Sequence, residues 1–267
     1  MRRLGDNGLF AGVREVVDQA LGVDDFTTKT AAHKLTKYGV SLGTATLVQD
    51  LFNRLDSNWD LTRPTASPPS LKNFRWHEPQ LCISKGNPSA EVTLERALMS
   101  ALGAAGRTDW SNQVPLISGI AGPHAFKRRA IDLVWRQGQS CFEFVELKIK
   151  SDTPVFAAIE ILVYGLLWLL SRRDRKVLDY TANPILDARE LRLSVLAPRD
   201  YYSRYSIRPL AITINDGLRK LGPQHGVAME FRFTAFPASF TWSRDPTDPS
   251  KPSGNDLIAL LDGRETV

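Results

Sequence analysis

A chain of 267 residues with 43% hydrophobic and 24% charged side chains can bury a core of ordinary size, as one large domain or a main domain with a smaller appendage. Its 34 Lys and Arg against 29 Asp and Glu give a net charge of +5, a mild basic excess that permits an anionic partner without requiring one. Two cysteines, Cys82 and Cys141, exclude a disulfide framework and a four-thiolate zinc site and fit a reducing, cytoplasmic setting.

The opening MRRLGDNGLF soon meets Arg14, Glu15 and Asp18, so it lacks the apolar core of a secretion signal. Leu9, Phe10, Val13, Val16, Val17, Ala20 and Leu21 recur at helical spacing, as do Leu47, Val48, Leu51, Phe52 and Leu55. A shorter helix is expected over 28–38, stopped by Gly39. Residues 1–62 thus read as a helical N-terminal region. The turn Gly39-Val40-Ser41 between two helices is similar to a helix-turn-helix. The same residues match the G-x-S-x-G elbow with Ser41 as nucleophile, but that elbow needs a strand before it and here a helix precedes it. The run RPTASPPSL at 63–71 supports no regular element and opens a linker over 63–86.

A main domain is expected over 87–240. Asn87-Pro88 is suited to lead a helix over 89–102 that Gly103 closes. Strands are predicted at 114–120, 129–135 and 141–149, the last two joined by the turn Gln137-Gly138-Gln139. The apolar run 155–170, interrupted by Glu160, falls short of the ~20 residues of a bilayer span; it reads as a buried helix, and no membrane is expected. A strand at 191–196, a helix at 210–221 and a strand at 227–236 follow. This order indicates an α/β or α+β domain around one mixed sheet. Residues 241–267 are expected to be a flexible tail, rich in Pro, Asp and Ser over 243–254. No repeat period and no Walker-type phosphate loop occurs, and His33, His77, His124 and His225 show no metal-ligand spacing.

Two of the strands contain charges that their composition argues against. Asp132 sits within RRAIDLVW, and Glu146 and Lys148 within CFEFVELKIK; Asp is depleted in strands. Alternation puts Phe142, Phe144, Glu146 and Lys148 on one face and Cys141, Val145, Leu147 and Ile149 on the other. Charges buried there are costly unless they pair or bind an ion. If the strands are hairpin neighbours, Asp132 and Glu146 converge, and two carboxylates plus waters are the usual site for Mg²⁺. Lys148 would point into the same pocket, there to orient or help deprotonate a water and offset charge on a phosphate.

Ile131-Asp132, thirteen intervening residues, then Glu146-Leu147-Lys148 resembles the signature of the PD-(D/E)XK nuclease superfamily, whose restriction-endonuclease-like core has the order αβββαβ. The resemblance spans about 89–196, with Ile131 where the signature has proline. It implies that Asp132 and Glu146 bind catalytic Mg²⁺, with Mn²⁺ able to substitute, and that Lys148 assists the attacking water. Members often carry a polar residue four before a Tyr on the helix after the lysine, which Glu160 and Tyr164 match. Their leading helix often supplies a glutamate, for which Glu91 and Glu95 are both candidates.

The function this implies is metal-dependent hydrolysis of phosphodiesters. DNA is the family's usual substrate, and no residue excludes RNA. Lys127, Arg128 and Arg129 before the Asp132 strand, and Arg172 and Arg173 after the apolar helix, are candidate phosphate contacts. A double-strand cutter commonly needs two sites, so a homodimer or a partner subunit is a reasonable expectation. The alternatives are a catalytically silent relative that binds nucleic acid or protein, and a helix-turn-helix regulator. Restriction, phage defence, repair and transposition all fit such an enzyme.

Overall fold

The computed structural model describes residues 8–32, 46–59, 69–83, 89–120, 129–180, 183–243, 248 and 251–267. A 3-10 turn, Gly8–Phe10, and helices α1 (Val13–Leu21) and α2 (Leu47–Asn58) come first. Then follow α3 (Ala90–Ala104), β1 (Trp110–Pro115), β2 (Ala130–Arg136), β3 (Cys141–Leu147), α4 (Pro154–Arg173) and β4 (Glu190–Ala197). The chain closes with α5 (Arg199–Tyr202), α6 (Arg208–Gln224), β5 (Ala228–Ala235), α7 (Gly254–Asp262) and β6 (Glu265–Thr266).

The strands form one mixed sheet in the order β1-β2-β3-β4-β5-β6. β1, β2 and β3 are mutually antiparallel, β3, β4 and β5 are parallel, and β6 returns antiparallel to β5. Parallel neighbours need a crossover, here supplied by α4 and α6. The alternation of β3 divides the core as expected: Phe142 and Phe144 join α1, α2, α4 and α6 on one face, while Val145 and Leu147 join α3 and α7 on the other.

α4 is the centre of the larger face. Every residue from Pro154 to Ser171 is buried, because the helix lies between the sheet and α2. At 20 residues it is long and apolar enough to cross a membrane, longer than the apolar run suggests. Its complete burial makes it a core helix, the other setting in which a helix is apolar all round. Gly165 lets it approach the sheet: a Cβ there would meet Leu193 Cδ1 at 2.6 Å.

Several boundaries depart from the sequence reading. The first strand is Trp110–Pro115, not 114–120; Leu116 and Ile117 are buried in the loop that follows, so their apolarity reports packing rather than strand pairing. The N-terminal helices pack into the main core, since Val13, Val17, Leu51 and Leu55 belong to the same core cluster as α4. The described part of the supposed linker is also packed: Phe74 is buried, and Asn73 Nδ2 donates to Ser118 O (3.0 Å) and Tyr180 Oη (2.6 Å). The C-terminal residues, expected as a flexible tail, include α7, whose Leu257 and Leu261 are buried against α3, and β6 on the sheet edge. The turn 39–41, on which both the helix-turn-helix and the Ser41 elbow depend, lies outside the described residues, as do Asn87-Pro88 and His124.

Candidate active site

The β2–β3 ladder runs from Arg136↔Phe142 to Leu133↔Val145 and there stops. One step further, the register would oppose Asp132 to Glu146. Instead the Leu147 backbone N–H donates to Asp132 Oδ2 at 3.0 Å, so a carboxylate takes the place of a strand carbonyl and the hairpin parts. β3 keeps its other neighbour, because Lys148 N donates to Leu196 O of β4 at 2.9 Å. A cleft of about 840 Å³ opens at this end of the sheet, lined by Asp132, Glu146, Lys148, Asp152, Glu160 and Tyr164 among others.

Lys148 is the hub. Its Nζ lies 2.8 Å from Glu146 Oε1, 3.5 Å from Glu160 Oε2 and 3.6 Å from Asp152 Oδ2. Tyr164 Oη donates to Glu160 Oε1 at 3.1 Å, one turn along α4, as residues four apart on a helix can. The helix starts where it does because Thr153 Oγ1 accepts from Phe156 N and Pro154 occupies the first turn. Glu146, Lys148, Glu160 and Tyr164 are all buried. Burial, and then the charges of Asp132 and Glu160, push the Glu146 carboxyl well above the usual carboxylate range, with Lys148 offsetting part of this. For Lys148 burial acts in the opposite sense, but Glu146, Glu160 and Asp132 outweigh it and hold the amine as ammonium. Burial and the neighbouring Glu160 and Glu146 keep Tyr164 a phenol.

The leading helix divides its two candidates. Glu95 is buried and reaches the site through amides: it accepts from Asn112 Nδ2 (2.5 Å) and Gln113 Nε2 (2.8 Å). The same Gln113 Nε2 lies 3.3 Å from Asp132 Oδ1. Burial, followed by the Asp132 charge, pushes Glu95 up to about 8. Glu91 instead caps the turn after β3, its Oε1 accepting from the backbone N–H groups of Ile149, Lys150 and Ser151 at 3.1 to 3.4 Å. Burial alone would raise its carboxyl, but these bonds and one from Ser89 hold it at about 2.

Gln113 is the residue that sequence reasoning missed. The β1–β2 register passes from Asn112↔Leu133 to Val114↔Ile131 without it, and its φ is 46°, uncommon for a residue with a side chain. Arg75 Nη1 donates to the Gln113 carbonyl at 2.8 Å and so holds the turned backbone. The signal in the sequence is faint: two adjacent amides, Asn112 and Gln113, ahead of an apolar run.

The basic candidates fare differently. Lys127 and Arg128 lie outside the described residues. Arg129 borders the cleft, but it is buried with its guanidinium 4.2 Å from the Phe10 ring. Arg172 and Arg173 are engaged within the fold. Arg172 donates to the carbonyls of Leu186 (2.7 Å) and Ala188, and Arg173 pairs with Asp56 and Asp174 at 2.7 and 2.9 Å. Twelve residues of α4 separate Arg172 from Glu160, about 18 Å of helix. Helix-terminal cations here tie the ends of α4 to its neighbours.

Asp132 and Glu146 fit a cation of the Mg²⁺ type. Glu146, Asp152 and Glu160 stand within 3.6 Å of the Lys148 ammonium, and the Asp132 and Glu146 carboxyls repel each other, a repulsion that a bound cation would relieve. Among the described residues no group of three His, Cys, Asp or Glu is placed to hold a metal. A cation would therefore rest on the carboxylate pair and waters, as Mg²⁺ commonly does. No protein-family model, curated protein or solved structure matches the chain.

Proposed function

We propose that this protein is a metal-dependent nuclease built on a restriction-endonuclease-like core, acting on DNA. The observation that carries the proposal is the parting of the β2–β3 hairpin, where Asp132 and Glu146 meet beside a buried lysine in an open cleft. The element order α3-β1-β2-β3-α4-β4 agrees with the αβββαβ order of that core. In this reading Asp132 and Glu146 would hold a Mg²⁺ ion, whose Lewis acidity would favour attack of water on the phosphate.

The chain's own groups have separable tasks. The Leu147 N–H and the Gln113 amide aim Asp132. Lys148 acts on the attacking water and offsets charge on the phosphate. Glu160, itself fixed by Tyr164, positions Lys148. Glu95 sets Gln113 and, through it, Asp132.

Plasmid and linear DNA incubated with the purified protein over a Mg²⁺ and Mn²⁺ titration test the reading. Cleavage should require the ion and vanish in Asp132→Asn and Glu146→Gln. Full activity in either variant would sink the assignment. DNA binding with no cleavage by the wild type would point to a silent relative.

A further inference from the structure

The direction of each strand places four chain segments at one end of the sheet. β1 and β3 leave at that end, β2 enters there, and β4, parallel to β3, leaves beside it. In sheet order these are the segment after Pro115, then Asp132, then Glu146 to Lys148, then the loop through α5 to the start of α6. Lys72 belongs to the first position, since its segment is bound to β1 by Ser70 N to Ser118 O (2.8 Å) and Phe74 N to Pro115 O (2.7 Å). Arg204 and Arg208 belong to the last, Arg204 between α5 and α6 and Arg208 as the first residue of α6. Tyr201 of α5 lies within electrostatic reach of Lys148 and Asp152. At about 4.8 Å between strands, β1 and β4 are ~14 Å apart, with the carboxylates between them.

The cations in this region differ in what they already hold. Arg75 and Arg96 in the cleft are engaged, with Glu78 (3.2 Å) and Glu95 respectively, and Arg199 pairs with Glu265. Lys72, Arg204 and Arg208 are exposed, and none of them is in an ion pair among the described residues. Lys72 also borders the cleft itself. Three exposed cations on the two flanks of an acidic centre would attract an anion long enough to cross it, and would hold it against the repulsion of the carboxylates.

Resting on the nuclease reading, we propose that a nucleic-acid strand crosses the end of the sheet from β1 to β4, its phosphates gripped by Lys72 on one side of Asp132 and Glu146 and by Arg204 and Arg208 on the other. These residues position the strand and take no part in the chemistry. Such contacts follow the backbone and carry no base preference.

The test is fluorescence anisotropy of the full chain with a fluorescein-labelled 20-mer, single-stranded and duplex, across a KCl series with Ca²⁺ replacing Mg²⁺. Each phosphate contact contributes roughly 0.7 to 0.9 to the slope of log K against log salt. Lys72→Ala should reduce the slope by about one and Arg204→Ala with Arg208→Ala by about two, for all sequences alike. Arg219→Ala, about 16 Å along α6 from Arg208 and paired with Asp216, should leave it unchanged. In Mg²⁺ the same variants should raise KM and spare kcat, the pattern of lost uniform binding. Folded variants with wild-type slopes would overturn the proposal, even if the wild type cuts DNA. Altered slopes in a protein that never cuts would uphold the strand path and remove the nuclease reading instead.

Discussion

Glu143 and Glu146 stand three residues apart on β3, point to opposite faces, and are both buried, at 1% and 5% exposure. Glu143 is surrounded by donors. Ser194 Oγ donates at 2.7 Å, Gln137 Nε2 at 2.9 Å and Arg264 Nη2 at 3.3 Å, and Arg264 in turn stacks over Trp135 and Trp110, centred 4.3 and 5.2 Å away. Glu146 is surrounded by carboxylates and has one ammonium. A buried charge whose donors come from β4, the hairpin turn and the C-terminal end of the chain is part of what holds those pieces together. A carboxyl crowded by its own kind is one whose charged form the fold disfavours.

Four experiments test this contrast and the geometry around it. The largest effect falls on activity at Glu146. Glu146→Gln, like Asp132→Asn, should lower metal-dependent cleavage by several kcal/mol of transition-state stabilisation, on the order of 10³-fold or more. The urea midpoint should fall by less than in Glu143→Gln, since the amide removes a carboxylate that burial and two neighbours disfavour while Glu160 and Asp152 still pair with Lys148. A large loss of stability in Glu146→Gln would make the two glutamates alike.

The opposite face should respond the opposite way. Glu143→Gln or Arg264→Ala should cost about 2–4 kcal/mol in urea denaturation, as breaking a buried ion pair does, with kcat of the folded fraction retained. A loss of kcat with stability intact would move Glu143 into the working half of the molecule.

Gln113 tests how the site is aimed. Replacing it by Gly satisfies the positive φ, which strains residues with a side chain by ~1 kcal/mol or more, but removes the link between Glu95 and Asp132. Cleavage should fall about 10- to 100-fold, the usual scale for a group that orients a ligand, while thermal stability holds or improves. Unchanged cleavage would show that the Leu147 N–H aims Asp132 unaided.

The smallest effect concerns Glu91. Its folded carboxyl is depressed from 4.5 to about 2, so its contribution is present above the unfolded value and is lost as pH falls through the folded one. Glu91→Gln should cost ~1 kcal/mol near neutrality, a modest figure because the group is half-buried and screened. Wild type and variant should converge in acid as pH falls from about 4.5 towards 2. A difference that persists below that window would mean that geometry, not charge, makes the cap.

Much of the site was legible because charged residues inside β-branched and aromatic runs are conspicuous. Asp132, Glu146 and Lys148 stood out for that reason, whereas Glu160 and Tyr164 were singled out through the family resemblance. Between Glu91 and Glu95 there was no local signal, because both flank the same apolar stripe. Only the position of β1 beside α3 brings Glu95 to Gln113 and turns Glu91 towards the backbone after β3. For the basic pair Arg172 and Arg173 the sequence carries no such distinction, since a cation after an apolar helix looks the same whether it meets a phosphate or the carbonyls of its own fold.

Residue order alone determined the alternation of helices and strands, the two faces of β3 and the buried character of α4, because these follow from periods of about 3.6 and 2 that each segment carries within itself. Tertiary structure decided what depends on distant partners. It drew α1, α2 and α7 into the common core, made a cleft wall of the segment around Lys72, and opened the hairpin where a carboxylate captures the Leu147 N–H. The physical reason is that a hydrogen bond or an ion pair is a property of two positions, and the chain records only one of them at a time.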